Sequence, residues 1–227
     1  MDIIQFDKQL LLQLCGSQSL FLDSLVTTLT HAATWIPLYI SLLYVVIKNS
    51  DNARNVILVL LSAGLCVLLA GTIDDSIVKP IVARWRPTRD PEIGIMVDVV
   101  NQYRGGNYGF FSAHASNTFS IAIFFCLLIR SKVLSIAMVL WSLINCWTRM
   151  YLGVHYPGDI LVGLLWGGIV GTVVYMLYRR LQPQPVQPAC YVSTQYTSTG
   201  YQANCADVVI VVLMFTLVYA IVRACLF

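Results

Sequence analysis

Residues 56–73 read VILVLLSAGLCVLLAGTI, eighteen consecutive positions without a charged side chain. As a helix rising 1.5 Å per residue, such a stretch reaches about 27 Å, close to the hydrocarbon thickness of a bilayer. Five further apolar stretches share this character, at residues 24–47, 113–129, 133–147, 160–178 and 208–222. The first of these is ample even with Pro37 inside it, and the shorter ones span fully if their polar ends continue as helix. The expected fold class is all-α, an integral membrane bundle of six transmembrane helices. Residues 1–227 form one domain, with a chemistry-bearing core at 79–159, a polar loop at 181–205 and an extra C-terminal helix at 206–227.

Composition supports lipid as the solvent. Hydrophobic types make up 58% of the 227 residues and charged types only 11%, against roughly 25% charged in soluble domains. The mean hydropathy is +0.73. A disordered chain, a basic nucleic-acid binder and an ordinary cytosolic enzyme are excluded, and a net charge of +3 is too small to imply a polyanionic partner. In residues 1–14, Asp2, Asp7 and Lys8 alternate with Ile3, Ile4, Phe6, Leu10 and Leu11, which predicts an amphipathic interfacial helix. No cationic segment precedes an apolar core there, so it does not read as a cleaved signal peptide.

The seven cysteines include no CxxC pair and no Cys/His cluster at zinc spacing, so no metal site is expected. Cys66, Cys126 and Cys146 read as small core hydrophobes. Cys190 and Cys205 flank a polar stretch and could pair in an oxidising compartment. Residues 181–205, rich in Gln, Pro, Ser, Thr and Tyr, read as a flexible linker. Lysine and arginine divide almost evenly between the two sides that six spans create, so the positive-inside rule does not settle orientation.

One side of the bundle collects the chemistry. Charged side chains beside membrane spans are costly and mark functional sites. Lys79, Arg84 and Arg86 follow the second span, Ser112 and His114 open the third, Arg149 closes the fourth, and His155 and Asp159 precede the fifth. Lys79, Arg86 and Arg149 suit a phosphate group, arginine through its forked donors. Ser112 is a helix N-cap candidate, and the helix start behind it presents N–H groups to an anion. His155 and Asp159 lie four apart, so a helix starting at Pro157 brings them together. Asp159 would then bond one ring nitrogen and leave the other free to attack phosphorus, with His114 donating a proton to the leaving oxygen. His31 reads as an interfacial residue.

The ordered pattern is Lys79-x6-Arg86-Pro87, then Phe111-Ser112-Ala113-His114, then Thr148-Arg149-x5-His155-x3-Asp159. It resembles the type 2 phosphatidic acid phosphatases, which share their site with vanadium haloperoxidases and carry the motifs KxxxxxxRP, PSGH and SRxxxxxHxxxD. The resemblance covers residues 79–159. It implies a phosphohistidine at His155, protonation of the leaving group by His114 and orientation of His155 by Asp159. It further implies phosphate binding by Lys79, Arg86, Ser112, Ala113 and Arg149, no cofactor or metal, and a site facing away from the cytoplasm. Phe111, Ala113 and Thr148 depart from the motif's Pro, Gly and Ser. If that Gly requires positive φ, Ala113 alters the anion seat. Arg84 is extra, an accessory for a second phosphate or a headgroup.

The expected function is that of a multi-pass lipid phosphatase of the bacterial inner membrane, its site on the periplasmic face. Substrate candidates are lipid A phosphate, undecaprenyl diphosphate and phosphatidylglycerol phosphate. The partners expected are the lipid substrate and membrane lipids, without nucleic acid or a required protein. Lipid phosphotransfer and non-catalytic lipid-phosphate binding or transport are the alternatives. The loop at residues 88–111 is where specificity is expected.

Overall fold

The 56–73 stretch folds as the middle of α4 (Ala53–Ile73), opened by Asn52, whose side chain accepts the Asn55 N–H. A computed structural model describes residues 2–182 and 195–226. Its other helices are α1 (Ile3–Leu14), α2 (Leu20–Thr30), α3 (Ile36–Lys48), α5 (Lys79–Val82), α6 (Ala113–Ile129), α7 (Lys132–Tyr151), α8 (Pro157–Leu181) and α9 (Ala203–Leu226). Among the described residues there are no strands, only isolated bridges such as Trp85 with Tyr108. The all-α membrane fold is as expected; the count of six spans is not established.

Among the described residues, four stretches are long and apolar enough to cross a membrane: Ala53–Val82, α7, α8 and α9. The first 24-residue segment is not a straight span. Helices α2 and α3 meet at a 69° bend, and count together as a fifth span only if a broken helix is accepted. The break has a local cause. His31 takes extended backbone after α2, a 3-10 turn follows at Ala32–Trp35, and Pro37 starts α3 at a position where its missing N–H costs nothing. Helix α6 covers 113–129 as expected but has only 17 residues.

A stripe of glycines on α8 sets the centre of the bundle. A Cβ on Gly163 would lie 2.8 Å from the Ser112 carbonyl oxygen, and one on Gly167 or Gly171 would lie 2.5 Å from those of Ser116 and Ser120. Only glycine lets α6 and α8 approach this closely, the small-residue packing typical of membrane helices. The buried core around this pair includes Phe124, Met138, Trp141, Val170 and Val174. Trp35 meets Trp141 edge to face at 5.9 Å and donates its indole N–H to the Leu29 carbonyl, so the bend is anchored in the same core. Outward positions such as Leu61, Leu68, Leu165 and Phe215 are exposed leucines and aromatics, as expected of helices whose neighbours are lipid.

Helix α1 is amphipathic as expected, but its polar side faces the protein. Ile3, Ile4 and Phe6 are exposed, whereas Asp7 and Lys8 are buried. Where the polar loop rejoins the bundle, Thr199 donates to the Ile129 carbonyl and the Gln202 N–H to Asn49 Oδ1. The remainder of that loop, with Cys190 and any Cys190–Cys205 pairing, lies outside the described residues. The Cys205 thiol donates to Gln202 Oε1.

Candidate active site

Three chain segments deliver the motif residues to one end of the α6–α8 pair. Helix α4 runs through a π-turn (Asp74–Val78) into α5, which ends at Ala83 in the left-handed conformation. That turn sends Arg84 and Arg86 back across the helix ends. Ser112 caps α6 through the Ala115 N–H, and its own N–H donates to the Asp159 carbonyl at 3.2 Å. The start of α6 and the start of α8 are therefore joined directly. Ala113 is the first residue of α6 and is absent from the positive-φ positions. Alanine at the motif's glycine thus costs no backbone strain, and the N–H groups of Ala113 and His114 remain without intrahelical acceptors, as at any helix start.

His155 is 2% exposed. Its Nδ1 lies 2.9 Å from the Gly109 carbonyl oxygen, which can only accept, so Nδ1 carries the proton and Nε2 presents a lone pair. The sequence reading assigns this orienting bond to Asp159, but Asp159 Oδ2 is 3.7 Å from Nδ1, beyond hydrogen-bond reach. Asp159 is occupied elsewhere: Oδ2 accepts the Tyr156 N–H at 3.0 Å and Oδ1 accepts Arg84 Nη1 at 2.7 Å. A backbone carbonyl has no side-chain signature, which is why the sequence does not reveal it.

Arg86, Arg149 and Lys79 lie near enough to His155 to act on its ring. Arg86 Nη1 is 3.2 Å from His155 Nε2, and Arg86 also donates to the carbonyls of Tyr108 and Val154. Arg149, 2% exposed, donates to Thr30 Oγ1 at 2.7 Å and to the Tyr103 hydroxyl at 3.0 Å, while its Nε has no hydrogen-bond partner. A buried guanidinium N–H left unmatched beside a second arginine is a donor awaiting an anion. Lys79 Nζ lies 2.7 Å from buried Asp74 and also contacts Asp75. Lys79 is thus held by two carboxylates that the sequence reading does not assign. His114, exposed at the mouth, has no side-chain hydrogen bond among the described residues.

Burial first, then Arg86, Arg149 and Lys79, hold the His155 ring well below the usual histidine range, so it is neutral. Burial and Arg149 also lower Arg86. Arg84, which the sequence offers as an accessory for a second phosphate or a headgroup, is engaged by protein carboxylates. Both terminal nitrogens of its fork meet carboxylates, Asp159 at 2.7 Å and Asp7 at 2.6 Å. Burial pulls its pKa down, but Asp159 and Asp7 outweigh this and the net shift is upward.

The loop at residues 88–111 lies over the site. Thr88 donates to the Arg104 carbonyl, and Ile93, Val97 and Val100 are buried. Tyr103 and Gly109 from this loop touch Arg149 and His155. Among the described residues, no group of three or more His, Cys, Asp and Glu side chains is arranged to hold a metal ion.

Comparison with known proteins gives a consistent picture. Residues 53–183 match the PAP2 superfamily. The lipid A 4'-phosphatase of Bacteroides thetaiotaomicron is 40% identical over 177 residues, 77% of this chain and 78% of that protein. The lipid A 4'-phosphatase of Porphyromonas gingivalis is 32% identical over 190 residues, 83% and 79% of the two chains. A decaprenylphosphoryl-5-phosphoribose phosphatase of Mycobacterium tuberculosis is 37% identical over 98 residues, 43% of this chain and 50% of that one. No solved structure matches.

Proposed function

The chain belongs to the PAP2 superfamily, and on that premise we propose that it is a membrane-embedded phosphatase that removes a phosphate from a lipid A-type envelope lipid through a phosphohistidine. The observation that carries this reading is the state of His155. The proton sits on Nδ1 against the Gly109 carbonyl, and the Nε2 lone pair points at the cationic cluster. The naming of both long-range relatives as lipid A 4'-phosphatases supports the lipid. The site faces the periplasm from the inner membrane, as the resemblance implies.

In the resting site Arg86 Nη1 occupies the Nε2 lone pair. An incoming phosphate takes that N–H on its own oxygen and frees the nitrogen. Arg86, Arg149 and Lys79, with the N–H groups at the start of α6, bear the charge of the five-coordinate transition state. Nε2 bonds to phosphorus as the bond to the lipid oxygen breaks, and that oxygen takes the proton that His114 acquires once the phosphate offsets the charge of Arg86, Arg149 and Lys79. Water then attacks the phosphohistidine, His114 takes the water proton, the N–P bond breaks, and inorganic phosphate and neutral His155 remain. Donors fixed in a buried site contribute most because they need no reorganisation.

The test is phosphate release by the purified protein in detergent with a chelator present. Lipid A 4'-phosphate, undecaprenyl diphosphate and phosphatidylglycerol phosphate are offered in parallel. Release from the lipid A substrate that vanishes in His155→Ala is expected; equal release by His155→Ala overturns the histidine mechanism, and preference for another lipid overturns the substrate assignment.

A further inference from the structure

The buried charges of α1 form a closed network with the catalytic end of α8. Asp7 Oδ1 accepts the Gly158 N–H at 2.8 Å, and Oδ2 accepts Arg84 Nη2 at 2.6 Å. Arg84 Nη1 reaches Asp159 at 2.7 Å, and its guanidinium stacks on the Tyr156 ring at 4.1 Å. The Tyr156 hydroxyl donates to Asp90 Oδ2 at 2.7 Å, and Lys8 Nζ lies 3.0 Å from the same oxygen. Asp7 of α1 therefore holds the first turn of α8 directly, and Lys8 reaches its N-cap, Tyr156, through Asp90.

We infer that Asp7 and Arg84 are positioning residues for Asp159, so that α1 is part of the catalytic apparatus rather than a membrane anchor alone. The inference rests on the phosphohistidine reading above. Buried ion pairs contribute little net stability, because desolvation offsets their attraction, but they fix one geometry. Here the geometry fixed is that of a carboxylate 3.7 Å from the ring that must carry positive charge once Nε2 is phosphorylated. Arg84 holds Asp159 in place, yet its full charge would blunt the carboxylate's effect on the ring. Asp7, on the far side of the fork, offsets that charge. Gly158 leaves the room this requires, since a Cβ there would lie 2.8 Å from Asp7 Oδ2. Neither Asp7 nor Arg84 contacts the phosphate cradle of Arg86, Arg149 and Lys79, so their loss acts on turnover and not on binding.

The experiment compares kcat, KM and thermal unfolding of the full chain in detergent micelles, with lipid A 4'-phosphate as the probe. Asp7→Asn keeps the Gly158 hydrogen bond and removes the charge; Arg84→Gln removes the bridge; Arg84→Lys retains charge on a point donor that cannot hold two carboxylates as a fork does. Outer residues that orient a reacting group typically contribute about 10–100-fold. Asp7→Asn is expected to lower kcat about 10-fold and Arg84→Gln about 100-fold with KM within about twofold, and Arg84→Lys to recover about 10-fold of the Arg84→Gln loss. Unchanged kcat in Asp7→Asn and Arg84→Gln, or losses that track the melting temperature without recovery in Arg84→Lys, overturn the inference alone. Absence of wild-type turnover, or turnover that survives His155→Ala, overturns the reading beneath it instead.

Discussion

Gly167→Ala is expected to damage activity far more than its one added methyl suggests. The new Cβ would lie 2.5 Å from the Ser116 carbonyl oxygen and 3.0 Å from Ser116 Cα, whereas ordinary contact begins at 3.4 Å. Both obstructing atoms are backbone, so relief requires α6 and α8 to separate by about 0.9 Å, the difference between 3.4 and 2.5 Å. Overpacking of this kind costs about 1–3 kcal/mol, equivalent to roughly 2–12 °C in melting temperature for a chain of this size. The same movement pulls the Ser112 cap and the N–H groups behind it away from Asp159 and His155, and misplacement of about 1 Å costs up to 100-fold in rate. Gly168→Ala is the control: its Cβ would meet only the Phe119 ring, at 3.4 Å, and alanine favours the helix by up to about 1 kcal/mol. Thermal unfolding and phosphate release in detergent are measured for both variants. Gly167→Ala matching Gly168→Ala in melting temperature and activity would refute the argument that glycine contacts hold the site in register.

Arg86→Lys should lower kcat/KM at least about 100-fold, because an ammonium cannot hold the Tyr108 and Val154 carbonyls while presenting a fork to phosphate; kinetics within tenfold of wild type would contradict that role. Tyr103→Phe removes the hydroxyl that receives Arg149 Nη2 at 3.0 Å and should cost about tenfold in kcat/KM, in line with a hydrogen bond to a charged group. The pH profile offers a third check. The His155 pKa is depressed by burial and by Arg86, Arg149 and Lys79, so the ring stays neutral below its unfolded value near 6.5, and kcat/KM should not fall with a midpoint there. The sign for stability follows from the same shift: the His155 contribution is full above about 6.5 and is lost as pH falls toward the folded value, because the unfolded chain then binds the extra proton. Arg86→Gln removes a neighbouring cation, raises the ring's pKa and should move the acid limb to higher pH; an unmoved limb would contradict the assignment.

Much of the fold is legible in the sequence because lipid enforces long charge-free helices, and α6 spans residues 113–129 as read. The bend between α2 and α3 is harder to see, since apolar composition continues through it and only Pro37 marks the restart. The glycine stripe at 163, 167 and 171 is legible as small residues four apart, a signal that the reading of spans alone passes over. The site motifs are visible because phosphate chemistry needs several charged residues at fixed spacing next to apolar runs. Their supports are not. Gly109 acts through a carbonyl, Thr30 and Tyr103 meet Arg149 only in three dimensions, and Asp7 lies 77 positions before its partner Arg84. Residue spacing likewise does not show that Arg84 bridges Asp159 and Asp7.

The most direct test of the account is to trap the covalent intermediate. The purified protein is mixed with lipid A carrying labelled 4'-phosphate, quenched within a single turnover, and the protein-bound label is exposed to acid and to alkali. The account predicts label on the wild-type chain that acid releases and alkali does not, as for an N–P bond, and none on His155→Ala. Turnover by the wild-type chain with no label trapped on His155, or equal label on His155→Ala, would contradict the claim that this histidine is the nucleophile.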